Sequence, residues 1–373
     1  HTAAGTNVHL SLCFNPSHLE YVNPVALGRI RAKQDRIGDP ERRSSMALLI
    51  HGDAAFAGEG IVQETLNLSG LEAYATGGTL HVIVNNQLGS TTPPGEGRWP
   101  SYATAVAKML PVPIFHVNGE HPQAVAQVVE LAMDFRAKFK RDVFIDMYGY
   151  RRWGHNEADE PSFTQPLLYQ AIEHRPSIRD SYLKHLLELG KVTEKEARQI
   201  ADEERAELEK QFAEAKVTQV QPQQLRPSPV WDPFVGGPEP DNGPETGVPV
   251  EEQQFLLNRL TSVPEGFHLH KKLLRTFERR KKMADGVEPL DWSAAEALAF
   301  ASLAVENHPV RLSGQDSARG TFSHRHAVLH DVVDGHQYEL FRHLADDQAP
   351  VDIINSPLCE AAAMGYEYGY SLD

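Results

Sequence analysis

Four short apolar runs in the first 150 residues are predicted to be buried β-strands. Polar or turn-forming residues follow each run, and helical patterns separate them. The clearest helical pattern follows Pro122, where apolar residues recur every three or four positions. Strands that alternate with helices predict an α/β fold with a parallel sheet covered on both faces. The predicted strands span 47–51, 79–84, 113–117 and 143–147, and the helix face comprises Val125, Val128, Val129, Ala132 and Phe135.

The second half of the chain predicts a charged helical region, a linker and a second α/β unit. Residues 169–216 are helical in pattern, and Thr193 with Glu196 forms a candidate capping box. The stretch 221–249 is rich in Pro, Gly and Gln and is typical of a linker. The pattern then predicts helix over 251–282, helix over 294–305, strands at 310–312 and 351–354, and a helix opening at 358–369.

Oxygen-bearing side chains follow the first two predicted strands. Gly52-Asp53 closes one strand and Asn85-Asn86 closes the next. Adjacent parallel strands would bring Asp53 and Asn86 to the same edge of the sheet, where ligands of α/β proteins bind. A carboxylate and an amide oxygen are hard ligands that suit magnesium when phosphate oxygens complete the shell. The alternative from these residues alone is two ordinary turns, in which Asp and Asn are common.

Composition and charge narrow the classes of protein. The formal net charge of −15 argues against nucleic-acid binding, which requires a basic surface. No apolar run approaches the roughly 20 residues that span a bilayer, and no signal peptide is recognisable. The two cysteines, Cys13 and Cys359, cannot form a disulfide framework, so a reducing compartment is expected. The chain begins at His1 without an initiator methionine, and we expect it to be a piece of a longer polypeptide.

A series of motifs along nearly the whole chain resembles the decarboxylating component of 2-oxoglutarate dehydrogenase. They occur in that family's order and at about its spacing. The motifs are NPSHLE at 15–20, HGDAAFAG at 51–58, VNNQLG at 84–89, IFHVN at 114–118, GHNE at 154–157, RLSGQD at 311–316 and RGTFSHRH at 319–326.

The resemblance implies a thiamine-diphosphate-binding fold and a set of cofactor ligands. In this interpretation Asp53, Asn86 and the carbonyl of Leu88 hold Mg²⁺, and Ala54 lies beside the cofactor. Residues 1–216 are expected to form the diphosphate- and magnesium-binding domain with a helical extension. Residues 217–290 are then a linker and helical segment, and 291–373 begin a pyrimidine-binding domain that we expect to be incomplete.

The implied activity is oxidative decarboxylation of 2-oxoglutarate with thiamine diphosphate and Mg²⁺. The succinyl group would pass to a lipoyl domain of a multienzyme complex in the tricarboxylic acid cycle. The expected partners are a 2-oxo dicarboxylic acid, a lipoyl-bearing succinyltransferase component and a second copy of the chain, with no nucleic acid and no membrane. The expected location is the bacterial cytoplasm rather than the mitochondrial matrix.

The resemblance also assigns a carboxyl group in the second half of the chain. The segment 355–360 matches the family's, with Cys359 where the family usually has Ser. Glu360 matches the glutamate that hydrogen-bonds the aminopyrimidine ring and favours its imino tautomer, whose nitrogen deprotonates the thiazolium carbon. The alternative for Glu360 alone is a carboxylate placed at a helix N-terminus, where it stabilises the helix dipole.

Three histidines in matched motifs are candidate catalytic residues. Imidazoles can donate hydrogen bonds to an anionic substrate and move protons near neutral pH. His18, His51 and His155 are therefore expected to act in catalysis, although most of the 18 histidines must be structural or exposed. His324 and His326 lie in a family-like run, but no step can be assigned to them.

The loop after Gly89 departs from the family. Ser90 replaces an aromatic residue, 98–102 (RWPSY) replaces an Arg-Ser run, and Thr104-Ala105 lacks the usual Asp. These changes put the ordering of the loop in doubt and keep two alternatives open. One is a 2-oxoadipate dehydrogenase relative, which several motifs also resemble, and the other is a non-catalytic relative that retains the fold. A nucleotide-binding protein is disfavoured, because no Walker A loop or G-x-G-x-x-G after a strand occurs.

Overall fold

The computed structural model describes residues 5–217, 228–238 and 243–373. The chain forms two compact units, of which the first comprises His1–Phe234 with Gly365–Asp373 and the second Val235–Met364. Parts of the predicted linker 221–249 lie outside the described residues. The domain boundaries expected from the sequence stay a prediction.

A four-stranded parallel sheet forms the centre of the first unit. Its strand order is β1-β2-β4-β3, so all four strands end at the same edge. The predicted strands are confirmed with shifts of one residue at their ends. The strands are β1 (Leu48–Gly52), β2 (Leu80–Asn85), β3 (Ile114–Asn118) and β4 (Val143–Tyr148). The helices that accompany them are α1 (Val22–Arg36), α2 (Asp53–Gly58), α3 (Gly60–Leu68), α4 (Pro94–Gly97) and α5 (Pro122–Phe139).

Both faces of this sheet are covered, as the alternation of elements predicts. On one face, α2, α3 and the 3-10 helix Ala103–Met109 enclose a core with the sheet. On the other face α5 packs through Ala132, and Val125, Val128 and Phe135 are partly buried. Val129 is 38% exposed, so including it in the buried face was wrong. The fully buried members of the two cores include Phe56, Ile83 and Phe144 on the first face and Val143 and Ile145 on the second.

Three helices extend the first unit beyond the sheet: α6 (Pro166–Glu173), α7 (Ile178–Glu188) and α8 (Glu194–Val217). The predicted capping box is present at the N-terminus of α8. The Thr193 amide donates to Glu196 Oε2 at 2.8 Å, and the Glu196 amide donates to Thr193 Oγ1 at 3.2 Å. This reciprocal pair satisfies two amides that have no partner inside the helix.

The second unit has a helical layer and two small sheets. Its helices are α9 (Val250–Arg259), α10 (Lys271–Ala284) and α11 (Trp292–Val305), and its strands are β5 (Val310–Gly314), β6 (Val328–His330), β7 (Gln337–Glu339) and β8 (Val351–Asn355). β5 and β8 are parallel, whereas β6 and β7 form an antiparallel hairpin that the sequence pattern did not reveal. The helix predicted over 251–282 is interrupted between α9 and α10.

The last helix, α12 (Ala362–Leu372), joins the first unit from Gly365 onward and packs on α1. Glycines set how closely the two helices approach. A Cβ on Gly28 would lie 1.9 Å from the Tyr366 carbonyl oxygen, and one on Gly369 would lie 2.0 Å from that of Val25. Tyr366 also donates its hydroxyl to the Tyr74 carbonyl at 2.9 Å. Within the described ranges, no helix is both long and apolar enough to cross a membrane.

Candidate active site

Asp53 lies at the carboxyl end of β1, where it opens α2. It is only 1% exposed. Its Oδ2 accepts a hydrogen bond from Arg98 Nη1 at 2.7 Å, while Oδ1 is buried without a hydrogen-bond partner among the described residues. Buried carboxylate oxygens are almost always satisfied, since leaving one unpaired is costly. The unpartnered Oδ1 is therefore an oxygen that a bound cation could satisfy.

The loop after β2 lies at the same edge of the sheet. β1 and β2 pair in parallel with Gly52 opposite Val84, so Asp53 and the loop both follow the carboxyl ends of neighbouring strands. Asn86 Oδ1 accepts from the Leu88 amide at 2.9 Å, and Gln87 has a φ of 63°, which turns the backbone sharply. The predicted edge position of Asp53 and Asn86 is confirmed.

Packing between the loop and α2 makes this edge compact. A Cβ added to Gly89 would lie 3.0 Å from the Ala54 side chain, so only a small residue fits there without a shift. Leu88 is 5% exposed, whereas Asn86 is partly accessible. One anionic oxygen, one amide oxygen and one backbone carbonyl form a donor set that fits Mg²⁺ completed by phosphate oxygens. The residues present therefore fit the metal, and their roles as ligands stay a prediction.

A cleft of about 720 Å³ opens beside the carboxyl ends of β3 and β4. Gln87, in the loop after β2, is one of the lining residues, and its side-chain Nε2 donates to the Gly149 carbonyl at 2.8 Å. Aromatic and polar side chains dominate the lining, which includes Tyr102, His116, Asn118, Glu120, Tyr148, Tyr150 and Arg175.

A carboxylate beneath this cleft was missed by the sequence interpretation. Asp146 is fully buried within β4, and its Oδ2 lies 3.2 Å from His116 Nδ1 and 3.3 Å from Thr104 Oγ1. Its Oδ1 accepts from Asn85 Nδ2 at 3.2 Å. The sequence did offer a signal for this residue, namely a charged residue inside an otherwise apolar predicted strand. Carboxylates are rarely buried without partners, so such a residue is expected to have some. The hydrogen bond between Asp146 and His116 fixes the orientation of the His116 ring, which also contacts Tyr102.

The three candidate histidines lie in different environments. His18 and His155 are exposed, and the His155 amide donates to Asp159 Oδ2 at 2.7 Å. His51 is buried in β1, where Nδ1 lies 2.6 Å from Glu20 Oε2 and Nε2 lies 3.0 Å from His81 Nδ1. Both ring nitrogens of His51 thus have protein partners, which supports a structural role for it.

Burial of His51 should make stability depend on pH. Desolvation lowers the pKa of His51 below 6.5, and its hydrogen bond to Glu20 only partly opposes this effect. Below pH 6.5 the unfolded chain binds a proton that the folded protein does not. The free energy of unfolding should therefore fall as the pH is lowered from 6.5, by up to ~1.4 kcal/mol for each pH unit. Urea unfolding at several pH values should give a flatter profile for His51→Asn than for wild type. His155→Asn is the exposed control, and an unchanged slope in His51→Asn would contradict the assignment.

Glu360 follows β8 in the second unit and is exposed just before α12. The segment leading to it is tied to the end of β5. The Ser356 amide donates to the Gly314 carbonyl at 2.9 Å, and Asn355 Oδ1 accepts from the Ala318 amide at 2.8 Å. Glu360 therefore lies beyond the carboxyl end of the parallel β5–β8 pair, as ligand-binding residues of such sheets commonly do.

His326 and a carboxylate–histidine group in the β6–β7 hairpin have local roles in the second unit. His326 Nε2 donates to the Ser323 carbonyl at 2.8 Å, which stabilises the turn before β6. Asp331, Asp334 and His336 in the β6–β7 hairpin could in principle hold a metal. The Asp331 oxygens already accept from the amides of Val333 and His268, however, so this carboxylate is explained by backbone hydrogen bonds of the hairpin and of the segment before α10.

Comparison with known proteins gives the family. The model described as "Dehydrogenase E1 component" matches residues 6–224. The chain belongs to this family. A second family model, "Transketolase, pyrimidine binding domain", matches residues 288–373. The fold class expected from the motifs is confirmed by these two matches.

Two similar relatives of this E1 component chain carry the same description, which confirms the resemblance found in the motifs. The "2-oxoglutarate dehydrogenase E1 component" of Coxiella burnetii is 45% identical over 98% of this chain and 39% of the relative. The protein of the same description from Brucella ovis is 46% identical over 99% of this chain and 38% of the relative. The chain thus spans less than half the length of these curated relatives.

Proposed function

We propose that the protein carries out the oxidative decarboxylation of 2-oxoglutarate with thiamine diphosphate and Mg²⁺ and transfers the succinyl group to a lipoyl domain. The observation that carries the proposal is the buried, unpartnered Asp53 Oδ1 beside the Asn86 loop. The relatives described as 2-oxoglutarate dehydrogenase E1 components support the choice of substrate.

Each proposed site residue has a role that follows from its position. Asp53, Asn86 and the Leu88 carbonyl would hold Mg²⁺ against the diphosphate, and Ala54 leaves space beside it because its side chain is a single methyl group. Thiamine diphosphate held by these residues would supply an electron sink for the decarboxylation. Glu360 would hold a proton against the aminopyrimidine ring and so favour its reactive tautomer.

Charged and polar residues would bind the dicarboxylate substrate. His18 and His155 are exposed, so their rings are free to donate hydrogen bonds to substrate oxygens. Arg151 Nη2 lies 3.2 Å from His155 Nδ1 and brings a cation to that ring. His51 would act only indirectly, through Glu20 and His81.

We further propose that the active protein is a homodimer of a bacterial cytoplasm and that its partner is a lipoyl-bearing succinyltransferase component. If the diphosphate is held by one subunit and the pyrimidine ring by the other, as the resemblance implies, a complete site needs two chains. The negative formal charge of −15 gives no support to a nucleic-acid partner.

The choice between substrates is tested by assaying the full-length protein with 2-oxoglutarate and 2-oxoadipate side by side. We expect a higher kcat/KM for 2-oxoglutarate, measured as release of carbon dioxide with an artificial electron acceptor. A preference for 2-oxoadipate would contradict the proposal and favour the second candidate, whose relatives the segments 85–93, 150–155 and 356–358 also resemble. Tight cofactor binding without turnover of either acid would instead indicate a non-catalytic relative.

A further inference from the structure

The ion pair between Arg98 and Asp53 is buried. Arg98 Nη1 donates to Asp53 Oδ2 at 2.7 Å, and the two side chains are 7% and 2% exposed. Burying two charges carries a desolvation penalty that their attraction does not reliably offset. This pair therefore differs from the surface ion pairs of the chain, such as Arg198 with Glu194 on α8, whose side chains are 80% and 75% exposed.

The two oxygens of the Asp53 carboxylate have different environments. Oδ2 is held by Arg98, whereas Oδ1 is buried without a hydrogen-bond partner among the described residues. Arg98 Nε is likewise buried and has no acceptor in that part of the chain. One anionic oxygen is thus available to a cation and one N–H donor to an anion. A metal bound to a diphosphate supplies both charges.

Hydrogen bonds within and to the loop 89–98 hold Arg98 in this position. The Arg98 amide donates to the Pro94 carbonyl at 3.0 Å, and Gly89 and Thr92 exchange backbone hydrogen bonds of 2.9 and 3.1 Å. Gln165 Nε2 from the region before α6 donates to the Thr91 carbonyl at 2.6 Å. The loop that departs from the family is therefore held at several points, and its arginine retains a definite contact.

We propose that Arg98 is a positioning residue of the metal and diphosphate site. Its guanidinium fixes Asp53 through Oδ2, so that Oδ1 is presented to Mg²⁺, and its Nε donates to an anionic oxygen of the diphosphate. Hydrogen bonds to a ligating carboxylate orient the ligand and raise metal affinity. Arginine suits the task because its planar fork donates in two directions and matches phosphate oxygens, which lysine cannot do as fully. The inference rests on the proposed function, since it requires Asp53 to hold the metal.

The test measures thiamine diphosphate affinity at saturating Mg²⁺ by titration calorimetry in the full-length protein. Arg98→Met should weaken binding by about 10- to 100-fold. Arg98→Lys should recover part of the loss, because it restores the charge beside Asp53. Arg198→Met removes the same charge from an exposed ion pair and should leave the affinity unchanged. Electron paramagnetic resonance of bound Mn²⁺ should show an altered signal in Arg98→Met, which a purely structural role would not produce.

The outcomes separate the two proposals. If Asp53→Asn abolishes binding while Arg98→Met binds as tightly as wild type, or more tightly, the role of Arg98 is overturned and the metal site stands. If Asp53→Asn itself binds normally, the metal assignment of the proposed function fails. Circular dichroism checks that each variant is folded, and Arg98→Gln takes the place of Arg98→Met if the methionine variant is not.

Discussion

Replacing Asp53 with alanine should abolish the magnesium-dependent binding of thiamine diphosphate. Asp53 is the only anionic group among the three proposed metal ligands, and the other two are neutral oxygens of Asn86 and Leu88. Its Oδ1 is buried and unpartnered among the described residues, so this oxygen is not already engaged by a protein donor. We expect the affinity to fall by more than the ~10- to 100-fold that is typical of losing an outer contact.

Calorimetric titration of the full-length protein with thiamine diphosphate, at several Mg²⁺ concentrations, measures this loss. Asp334→Ala is the matched control, because Asp334 is an exposed carboxylate of another group with metal-like spacing. It should bind the cofactor as wild type does. If Asp53→Ala retained wild-type affinity, the metal would have to be held elsewhere.

Most of the first unit could be predicted from the sequence because its strands are uninterrupted apolar runs bounded by polar residues. Such runs mark strands of a two-sided parallel sheet, and each was placed to within one residue at its ends. The β6–β7 hairpin could not be found in this way. Its strands are three residues long and contain His330 and Gln337, so they have no apolar period.

The site was predictable only where it depends on strand ends. Asp53 and Asn86 follow neighbouring parallel strands, and that alone brings them to one edge. Arg98 reaches Asp53 from 45 residues away, through a loop whose path no local pattern specifies. His51 was found by its motif, but its partners are tertiary contacts: Glu20 depends on how the segment before α1 packs on the sheet, and His81 depends on the pairing of β1 with β2.

Glu360→Gln should bind thiamine diphosphate normally and lose turnover. Glutamine keeps the shape of the side chain and the capacity for hydrogen bonding, but it cannot supply the acid that favours the reactive tautomer of the pyrimidine ring. The C2 proton of the thiazolium ring of the bound cofactor should exchange more slowly by about two orders of magnitude or more, on the scale of general acid–base catalysis. Deuterium labelling with detection by NMR measures this exchange rate. Exchange at the wild-type rate would exclude this role for Glu360.

The same variant tests whether one site is built from two chains. If the diphosphate half of a site comes from one subunit and the pyrimidine half from its partner, a heterodimer of Asp53→Ala and Glu360→Gln subunits has one site with both defects and one with neither. Random mixing of the inactive variants should then restore about a quarter of wild-type activity, since half the dimers are mixed and half their sites intact. Mixing Asp53→Ala with Asn86→Ala is the control and should restore none, because both changes affect the diphosphate half. Mixed dimers of Asp53→Ala and Glu360→Gln that form but remain inactive would mean that the two residues act within a single chain.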